Sequence, residues 1–372
     1  MENRKIRVAI THGDTNGIGY ELIFKTFADP EMLELCTPII YGSPKVATYH
    51  RKALGIEGNF TIINSAEEAR DGVVNMLPVF DDEIKIEFGM PSQDASRAAI
   101  MALDRAITDY KDQLFDVLVT GPVDKDYMHV DGYNFTSNAK FIQTCIGEGQ
   151  TGLDILINDD LRIALMTDAI ALKDVPAAIT KEAIIRKAAV FFSTLRRDFR
   201  IDNPRIAILA LNPTDSDQHP GKEEAEAILP AIEQLAGASA NVFGPYQAAE
   251  FFGSGEYTAF DGILAMYHDQ GIAPFKALEP DDNIHYLAGL PLVSTSTDLT
   301  PGYDIAGQNL ADATSLRHAI FAAIDGYRCR AAFDEPQANP LPKLYHERKD
   351  DSEKVRFSKP KKHDNAIKER KK

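Results

Sequence analysis

The chain has 372 residues, of which 44% are hydrophobic and 26% are charged, a balance typical of a soluble globular protein long enough for two domains. Its formal net charge is −16, and residues 347–372 hold eleven Lys and Arg against six Asp and Glu, so the body carries about −21 and this basic tail +5. The acidic body excludes nucleic acid as an expected partner because it repels phosphates, and no apolar run is long enough to span a membrane. The tail, which is poor in apolar residues, is predicted to be disordered.

Strands and helices are predicted along the whole body of the chain from the spacing of its apolar residues. In chain order these are strand 6–10, helix 21–27, strand 37–41, helices 45–54 and 95–114, strand 115–120, strands 153–157 and 162–166, helix 181–199, strand 205–211, helix 223–235, strand 261–265 and helix 311–325. Alternation of this kind is typical of an α/β fold with a mostly parallel sheet covered on both faces.

The three cysteines indicate the cellular compartment of the protein rather than a metal or redox site. Cys36, Cys145 and Cys329 are odd in number and lack the spacing of metal ligands or of a CxxC motif. Reduced thiols in a cytoplasmic protein are therefore expected.

The segment MYHDQG at residues 266–271 is the strongest chemical signal in the sequence. It follows the predicted strand 261–265 and leads to Lys276, so that His268, Asp269 and Lys276 come just beyond a strand end. In open α/β sheets such strand ends are where ligands bind. We therefore expect a functional site there.

Six segments occur in the order that is typical of one family. They are ITHGDTNGIG (10–19), LVTGPVDK (118–125), LNP (211–213), MYHDQG (266–271), GLP (289–291) and DIAG (304–307). In this combination the chain resembles the 4-hydroxythreonine-4-phosphate dehydrogenases, the PdxA-type enzymes of vitamin B6 synthesis, over about residues 4–327.

The resemblance implies a two-domain fold similar to isocitrate and isopropylmalate dehydrogenases, with mostly parallel sheets and an interdomain cleft. Residues 1–135 and 300–330 are then expected to form the first domain, on the cofactor side. Residues 136–299 are expected to form the second, which holds the substrate and metal side and the dimer contacts. A homodimer is the implied working unit.

The resemblance also implies a reaction. Relatives use NAD or NADP to oxidise the alcohol of 4-phosphooxy-threonine, and the keto product then loses CO₂. The expected partner is therefore a small phosphorylated or carboxylated metabolite. A divalent metal, held by three histidines in the family, polarises the reacting oxygen as a Lewis acid.

Matching residue by residue carries the family roles onto this chain. His268 takes the position of a metal ligand, and Asp269 would orient it. Lys276 would contact the substrate, so that these three residues are the catalytic candidates. Asp304 and Gly307 would lie beside the cofactor.

The metal ligands of the family are largely replaced. Ala169 and Thr214 stand at the other two histidine positions; a methyl group cannot bind a metal, and a neutral hydroxyl is a poor substitute for imidazole. Asp168 and Asp215 are adjacent and are possible substitutes, which would favour Mg²⁺ or Mn²⁺ over Zn²⁺.

The substrate positions have changed as well. Asn138 and Ala139 stand where the family has His and Thr, and Ser294 stands where it has an Arg for the phosphate of the substrate. A serine cannot form the bidentate clamp of an arginine. Lys276 is retained, and His285 stands where the family has Asn, so Asn138, Lys276 and His285 are the candidate substrate contacts.

Two alternatives to the family reaction follow from these replacements, which cluster on the chemistry and leave the glycine-rich scaffold segments readable. Loss of several groups from such a site costs orders of magnitude in rate. The chain could be a catalytically degenerate relative that acts as a binding or regulatory module, or a metal-independent dehydrogenase of a different substrate. Retained enzyme activity is left open at this point.

Overall fold

The structure is a computed structural model of the chain. It describes residues 4–80, 84–127, 129–130, 133–135, 137–150, 152–213, 221–238, 240–278 and 283–339. Residues 1–334 belong to one compact unit and residues 335–372 to a second, of which 335–339 are described. The predicted disordered tail at 347–372 lies outside the described residues.

Fourteen strands are present in the described part of the chain. They are β1 (Ile6–Thr11), β2 (Cys36–Gly42), β3 (Thr61–Ile62), β4 (Asn75–Pro78), β5 (Val117–Thr120), β6 (His129–Val130), β7 (Tyr133–Asn134), β8 (Leu153–Ile157), β9 (Arg162–Leu165), β10 (Arg205–Leu209), β11 (Asn241–Tyr246), β12 (Gly262–Ala265), β13 (Ile284–Ala288) and β14 (Val293–Thr297). Each strand predicted from the sequence is among them, to within a few residues at its ends.

Helices connect most of these strands. The α-helices are α1 (Gly19–Thr26), α2 (Pro30–Leu35), α3 (Pro44–Leu54), α4 (Gln93–Lys111), α5 (Asn138–Ile146), α6 (Val175–Ala178), α7 (Lys181–Arg197), α8 (Leu229–Gly237), α9 (Ala248–Gly253), α10 (His268–Leu278) and α11 (Thr314–Ala338). A π-helical turn, Glu224–Ile228, precedes α8. Two long helices begin where a side chain caps the first turn; Ser92 accepts a hydrogen bond from the Ala95 N–H at the start of α4, and Thr180 accepts one from the Ala183 N–H at the start of α7.

Twelve strands form one sheet in the order β11-β10-β12-β9-β8-β13-β14-β5-β1-β2-β4-β3, and β6 pairs with β7 apart from it. The pairings in the large sheet are parallel except β8 with β9, β8 with β13, and β13 with β14. The predicted α/β fold with a mostly parallel sheet is therefore confirmed.

The sheet is covered on both faces, as predicted. On one face, Val8 and Ile10 of β1 pack in a core with residues of α1, α3, α7 and α11. On the other face, the intervening Ala9 packs in a second core with residues of α4 and α5. This alternation follows from the two-residue period of a strand. Burial on both faces explains the uninterrupted apolar runs 8–10 of β1 and 263–265 of β12.

The predicted division into two domains corresponds to two blocks of the strand order. β1 to β5 occupy one end of the large sheet, β8 to β14 occupy the other, and β5 meets β14 between them in a parallel pairing. The division itself stays a prediction.

Gln270 of the MYHDQG segment holds the turn between β12 and α10. Its side-chain oxygen accepts the Met266 N–H at 2.7 Å, and its amide donates to the Ala210 carbonyl at 2.6 Å, so it ties the end of β12 to the end of β10. The segment is the start of a helix, and His268 is the first residue of α10.

Candidate active site

A cavity of about 590 Å³ opens at the carboxyl ends of the parallel strands β5 and β14. This is within the roughly 300–1,000 Å³ range of small-molecule sites. The carboxylates, lysines and histidines that line it are Asp124, Lys125, Asp126, Asp154, His268, Lys276, His285 and Asp298. Charges of both signs suit a small ligand that itself carries both.

The centre of the cavity wall is a row of three ionisable side chains on neighbouring strands. The register pairs His285 of β13 with Leu156 of β8 on one side and with Ser296 of β14 on the other. Asp154 and Asp298 each lie two residues from those partners, which makes them diagonal neighbours of His285 on one face. Sheet register therefore brings the imidazole between two carboxylates.

The distances show that both carboxylates bond to the imidazole. His285 Nδ1 lies 2.9 Å from Asp154 Oδ2, and His285 Nε2 lies 3.2 Å from Asp298 Oδ1. The second oxygen of Asp298 lies 2.8 Å from Lys276 Nζ, at the last turn of α10. We call the four residues Asp154, His285, Asp298 and Lys276 the charge relay.

The pKa values of His285 and Asp298 both move toward the ionised form. Burial by itself would lower the pKa of His285, but the charge of Asp154 and the hydrogen bonds to Asp154 and Asp298 outweigh it and raise that pKa to about 10. Burial likewise opposes ionisation of Asp298, yet hydrogen bonds from His285 and Lys276 hold its pKa below the ordinary value. At neutral pH the imidazole is therefore a cation between two anions.

His268 faces the same cavity from the start of α10. Its Nδ1 lies 2.8 Å from Asp269 Oδ1, and the two side chains are 36% and 81% exposed. When Nδ1 carries the proton, Nε2 has a free lone pair that can accept a proton or bind a cation. The contact agrees with the predicted orienting role of Asp269, which itself stays a prediction.

A second acidic group adjoins the cavity at the entry loop after β1. The Tyr303 hydroxyl, on the cavity wall, donates to Asp14 Oδ2 at 2.9 Å. Burial raises the pKa of Asp14, and burial together with Asp14 and Asp124 raises that of Tyr303. These groups, with Lys125 on the rim, give the cavity a polar wall apart from the charge relay.

The two replaced substrate positions line the cavity at the start of α5. Asn138 is the first residue of that helix, capped by Ser137, and Ala139 follows it. Ser294 also lines the cavity and is buried. The structure thus brings Asn138, Lys276 and His285 to one cavity, and their role as substrate contacts stays a prediction.

The predicted metal ligands are not brought together in the described residues. Asp168 and Ala169 are exposed beyond the end of β9, and Thr214 and Asp215 lie outside the described residues. Among the residues that the structure describes, no group of three or more His, Cys, Asp and Glu could hold a metal ion. The donors described do not fit the three-histidine set of the family.

Neither of the predicted cofactor residues lines the cavity itself, although Asp304 directly follows Tyr303 of its wall. Asp304 is exposed and follows Tyr303, while Gly307 has a positive φ of 79° and approaches the ring of Phe88 so closely that a Cβ would lie 2.9 Å from it. An exposed carboxylate is the group that accepts hydrogen bonds from ribose hydroxyls. The chemistry of Asp304 fits a nicotinamide cofactor, whereas Gly307 has a packing role.

Sequence reasoning missed Asp154, Asp298, Asp14 and Tyr303. The available signal was weak: Asp154 interrupts an apolar strand, and Asp298 ends a Ser-Thr alternation. Neither pattern reveals that both carboxylates bond to one imidazole.

The fold and the cavity together define an α/β protein of the class that acts on small charged metabolites, with its site at the ends of parallel strands. A profile of the family "Pyridoxal phosphate biosynthetic protein PdxA" matches residues 34–323. The chain belongs to this PdxA family.

Relatives and solved structures agree over nearly the whole chain. The chain is 49% identical over 358 residues to a 4-hydroxythreonine-4-phosphate dehydrogenase of Bacteroides thetaiotaomicron, covering 96% of this chain and 98% of the relative. It is 30% identical over 322 residues to a D-threonate 4-phosphate dehydrogenase of Cupriavidus necator, covering 84% and 95%. A structure from Salmonella typhimurium, a putative 4-hydroxythreonine-4-phosphate dehydrogenase, superimposes with a TM-score of 0.76 at 26% identity, covering 87% of this chain and all of that one (100%).

These similarities confirm the predicted family and its α/β dehydrogenase fold. Membership of the family implies a nicotinamide cofactor. In the described part of the chain, none of the helices combines the length and apolar character needed to cross a membrane.

Proposed function

We propose that this protein is a dehydrogenase of vitamin B6 synthesis that oxidises the alcohol of 4-phosphooxy-threonine with NAD or NADP. The observation that carries the proposal is 49% identity over 96% of the chain to a 4-hydroxythreonine-4-phosphate dehydrogenase. Oxidation at the carbon two bonds from the carboxylate gives a β-keto acid, which then releases CO₂.

The charges of the cavity match those of this substrate. Its phosphate and carboxylate are anions, and Lys276 and Lys125 supply cations on the cavity wall. Its ammonium group is a cation, and Asp124 and Asp126 supply carboxylates. Lys276 keeps a role in substrate binding, with Asn138 at the start of α5 as a neutral hydrogen-bonding contact.

Proton removal from the alcohol is assigned to His268. With Asp269 bonded to Nδ1, the imidazole presents the Nε2 lone pair to the cavity and can accept the hydroxyl proton. The hydrogen on the carbon that bears this hydroxyl leaves as hydride. Asp269 then stabilises the imidazolium that forms. The nicotinamide cofactor supplies the hydride acceptor when bound, and Asp304 is the candidate for its ribose.

No step is assigned to a metal, because the described donors do not form a three-histidine site. The same Nε2 of His268 would be the ligand if residues 214–220, outside the described part, completed a site. Mg²⁺ and Mn²⁺ are the cations that carboxylates there would favour.

The test is turnover by the purified full chain, treated with chelator and then supplied with NAD or NADP and 4-phosphooxy-threonine. Growth of absorbance at 340 nm is expected, and arms with Mg²⁺, Mn²⁺ or Zn²⁺ measure any metal dependence. D-threonate 4-phosphate is the alternative substrate for comparison, because it lacks the ammonium group. Binding of cofactor and substrate without turnover in every arm would instead support a catalytically degenerate binding module.

The homodimer is also part of this proposal, and its test is independent of activity. Light scattering of the eluting full chain is expected to give about twice the mass of one 41.1 kDa chain. A mass near 41.1 kDa would contradict it.

A further inference from the structure

His285 uses both ring nitrogens on carboxylates, which limits what it can do for a ligand. Nδ1 is 2.9 Å from Asp154 and Nε2 is 3.2 Å from Asp298. An ionised carboxylate only accepts hydrogen bonds, so both nitrogens must donate and the ring must be an imidazolium. No N–H of this ring then remains for a substrate.

Asp298 is likewise used on both oxygens. Oδ1 accepts from His285 and Oδ2 accepts from Lys276 at 2.8 Å, and the Asp298 side chain is only 13% exposed. A lysine ammonium has three donors, so Lys276 can give two more to a ligand. The charge relay therefore starts on β8, passes through β13 and the end of β14, and ends at the ammonium group of α10.

Lys276 needs to be held in place more than the other residues of the charge relay do. Its side chain is 48% exposed, and a lysine stem of four methylenes loses much rotamer freedom when fixed. Asp298 fixes the ammonium group in the free protein, and His285 fixes Asp298. The entropy cost of ordering the lysine is then met before a ligand arrives.

We infer that His285 is a positioning residue, which, anchored by Asp154, orients Asp298 and thereby holds the Lys276 ammonium group ready for an anionic group of the substrate. The inference rests on the proposed function for the identity of that substrate. It differs from the expectation that His285 contacts the substrate itself.

The balance of charges in the charge relay predicts how a substitution of His285 affects substrate binding. The charge relay contains two cations and two anions, so it is neutral before an anion binds. Replacing His285 by a neutral residue leaves an excess negative charge beside Lys276, which opposes an anionic ligand. The effect should therefore fall on substrate affinity more than on the chemical step.

The experiment compares His285→Asn, Lys276→Ala and the double variant in the full chain, with Asp325→Asn as a surface carboxylate control on α11. His285→Asn is expected to raise KM for 4-phosphooxy-threonine about tenfold, the size of one lost charge-assisted hydrogen bond, with a smaller change in kcat. In the Lys276→Ala background the same replacement is expected to change KM less than about twofold, because the group it positions is gone. An unchanged KM, or an equal effect in both backgrounds, would overturn the inference.

Two further measurements keep the outcome decisive. Asp154→Asn removes the far anchor but leaves the bond between His285 and Asp298. It should also raise KM, and it replaces His285→Asn as the test if that variant does not fold. Calorimetric titration with inorganic phosphate reports anion affinity without turnover. If the wild type is inactive but binds phosphate, and the variants lose that affinity, only the proposed function is refuted. If all the proteins bind phosphate equally well, the positioning role is refuted.

Discussion

Replacing Arg330 by Met is expected to be the most damaging single change away from the cavity. The guanidinium of Arg330, on α11, donates to both oxygens of Asp198 at 2.7 and 2.8 Å and to the carbonyls of Leu290 and Pro291 at 2.9 Å each. Asp198 also accepts from the Tyr286 hydroxyl at 2.9 Å. The side chains of Arg330 and Asp198 are 7% and 2% exposed.

The magnitude follows from what the replacement leaves behind. Asp198 would remain a buried carboxylate without its cation, and two carbonyls would lose their donor. Breaking a buried pair from one side costs about 3–5 kcal/mol of the free energy of unfolding. Arg328→Met is the matched control on the same helix, because Arg328 is 54% exposed and lies 3.8 Å from Asp325, a surface pair worth less than about 1 kcal/mol.

Urea unfolding followed by circular dichroism measures both variants against the wild type. The expected result is a large fall in the midpoint for Arg330→Met at an unchanged slope, with almost none for Arg328→Met. Replacing Arg330 and Asp198 together by apolar residues should recover much of the loss, because no charge is left unpaired. A loss below about 1 kcal/mol for Arg330→Met would refute the reasoning.

Three further predictions concern His285 and the loops that follow β1 and β10. Because the pKa of His285 rises from 6.5 to about 10 on folding, its stabilisation is complete below pH 6.5 and is lost as the pH approaches 10; unfolding titrations of His285→Asn should lack this decline. Gly13→Ala should lower the midpoint of thermal unfolding by several degrees, since φ is 74° and a Cβ would lie 2.2 Å from the Pro122 carbonyl; an unchanged midpoint would contradict this. Glu224→Ala should speed amide exchange at Leu211, whose N–H it accepts at 2.8 Å; exchange at the wild-type rate would show that Glu224 does not hold this loop.

The sequence allowed prediction of the strands with long apolar runs. Runs such as 6–10 and 205–211 have no alternative to burial, and both are strands in the structure. No strand was predicted for β14, because Val293–Thr297 is mostly Ser and Thr; in the structure the strand is buried between β13 and β5. Its pairing with neighbours, rather than its own apolar character, makes it a strand.

The candidate site could be located but not assembled from the sequence. The position of His268 beyond a strand end followed from the apolar run before it, and the structure places it on the cavity wall. The bonds of His285 could not be foreseen, because Asp154 is 131 residues away and becomes a neighbour only through the antiparallel register of β8 and β13. Long-range register is the information that the periodicity of one segment does not contain.

The replaced positions leave this chain without two groups that the family site contains. Ala169 contributes no donor, and Ser294 no cation. The charged character of the cavity therefore comes from other side chains, on β8, β13, α10 and the segments after β5 and β14. The charge relay and the pair His268 and Asp269 are the groups on which the proposed activity depends.

The central claim is that this arrangement still oxidises a phosphorylated hydroxy-amino acid. Its most direct test is the initial rate of nicotinamide reduction by the full chain with 4-phosphooxy-threonine, measured beside unphosphorylated 4-hydroxythreonine. We predict steady reduction with the phosphorylated compound and little with the other. Absence of reduction with both compounds, with NAD and NADP and with each divalent cation, would contradict the account.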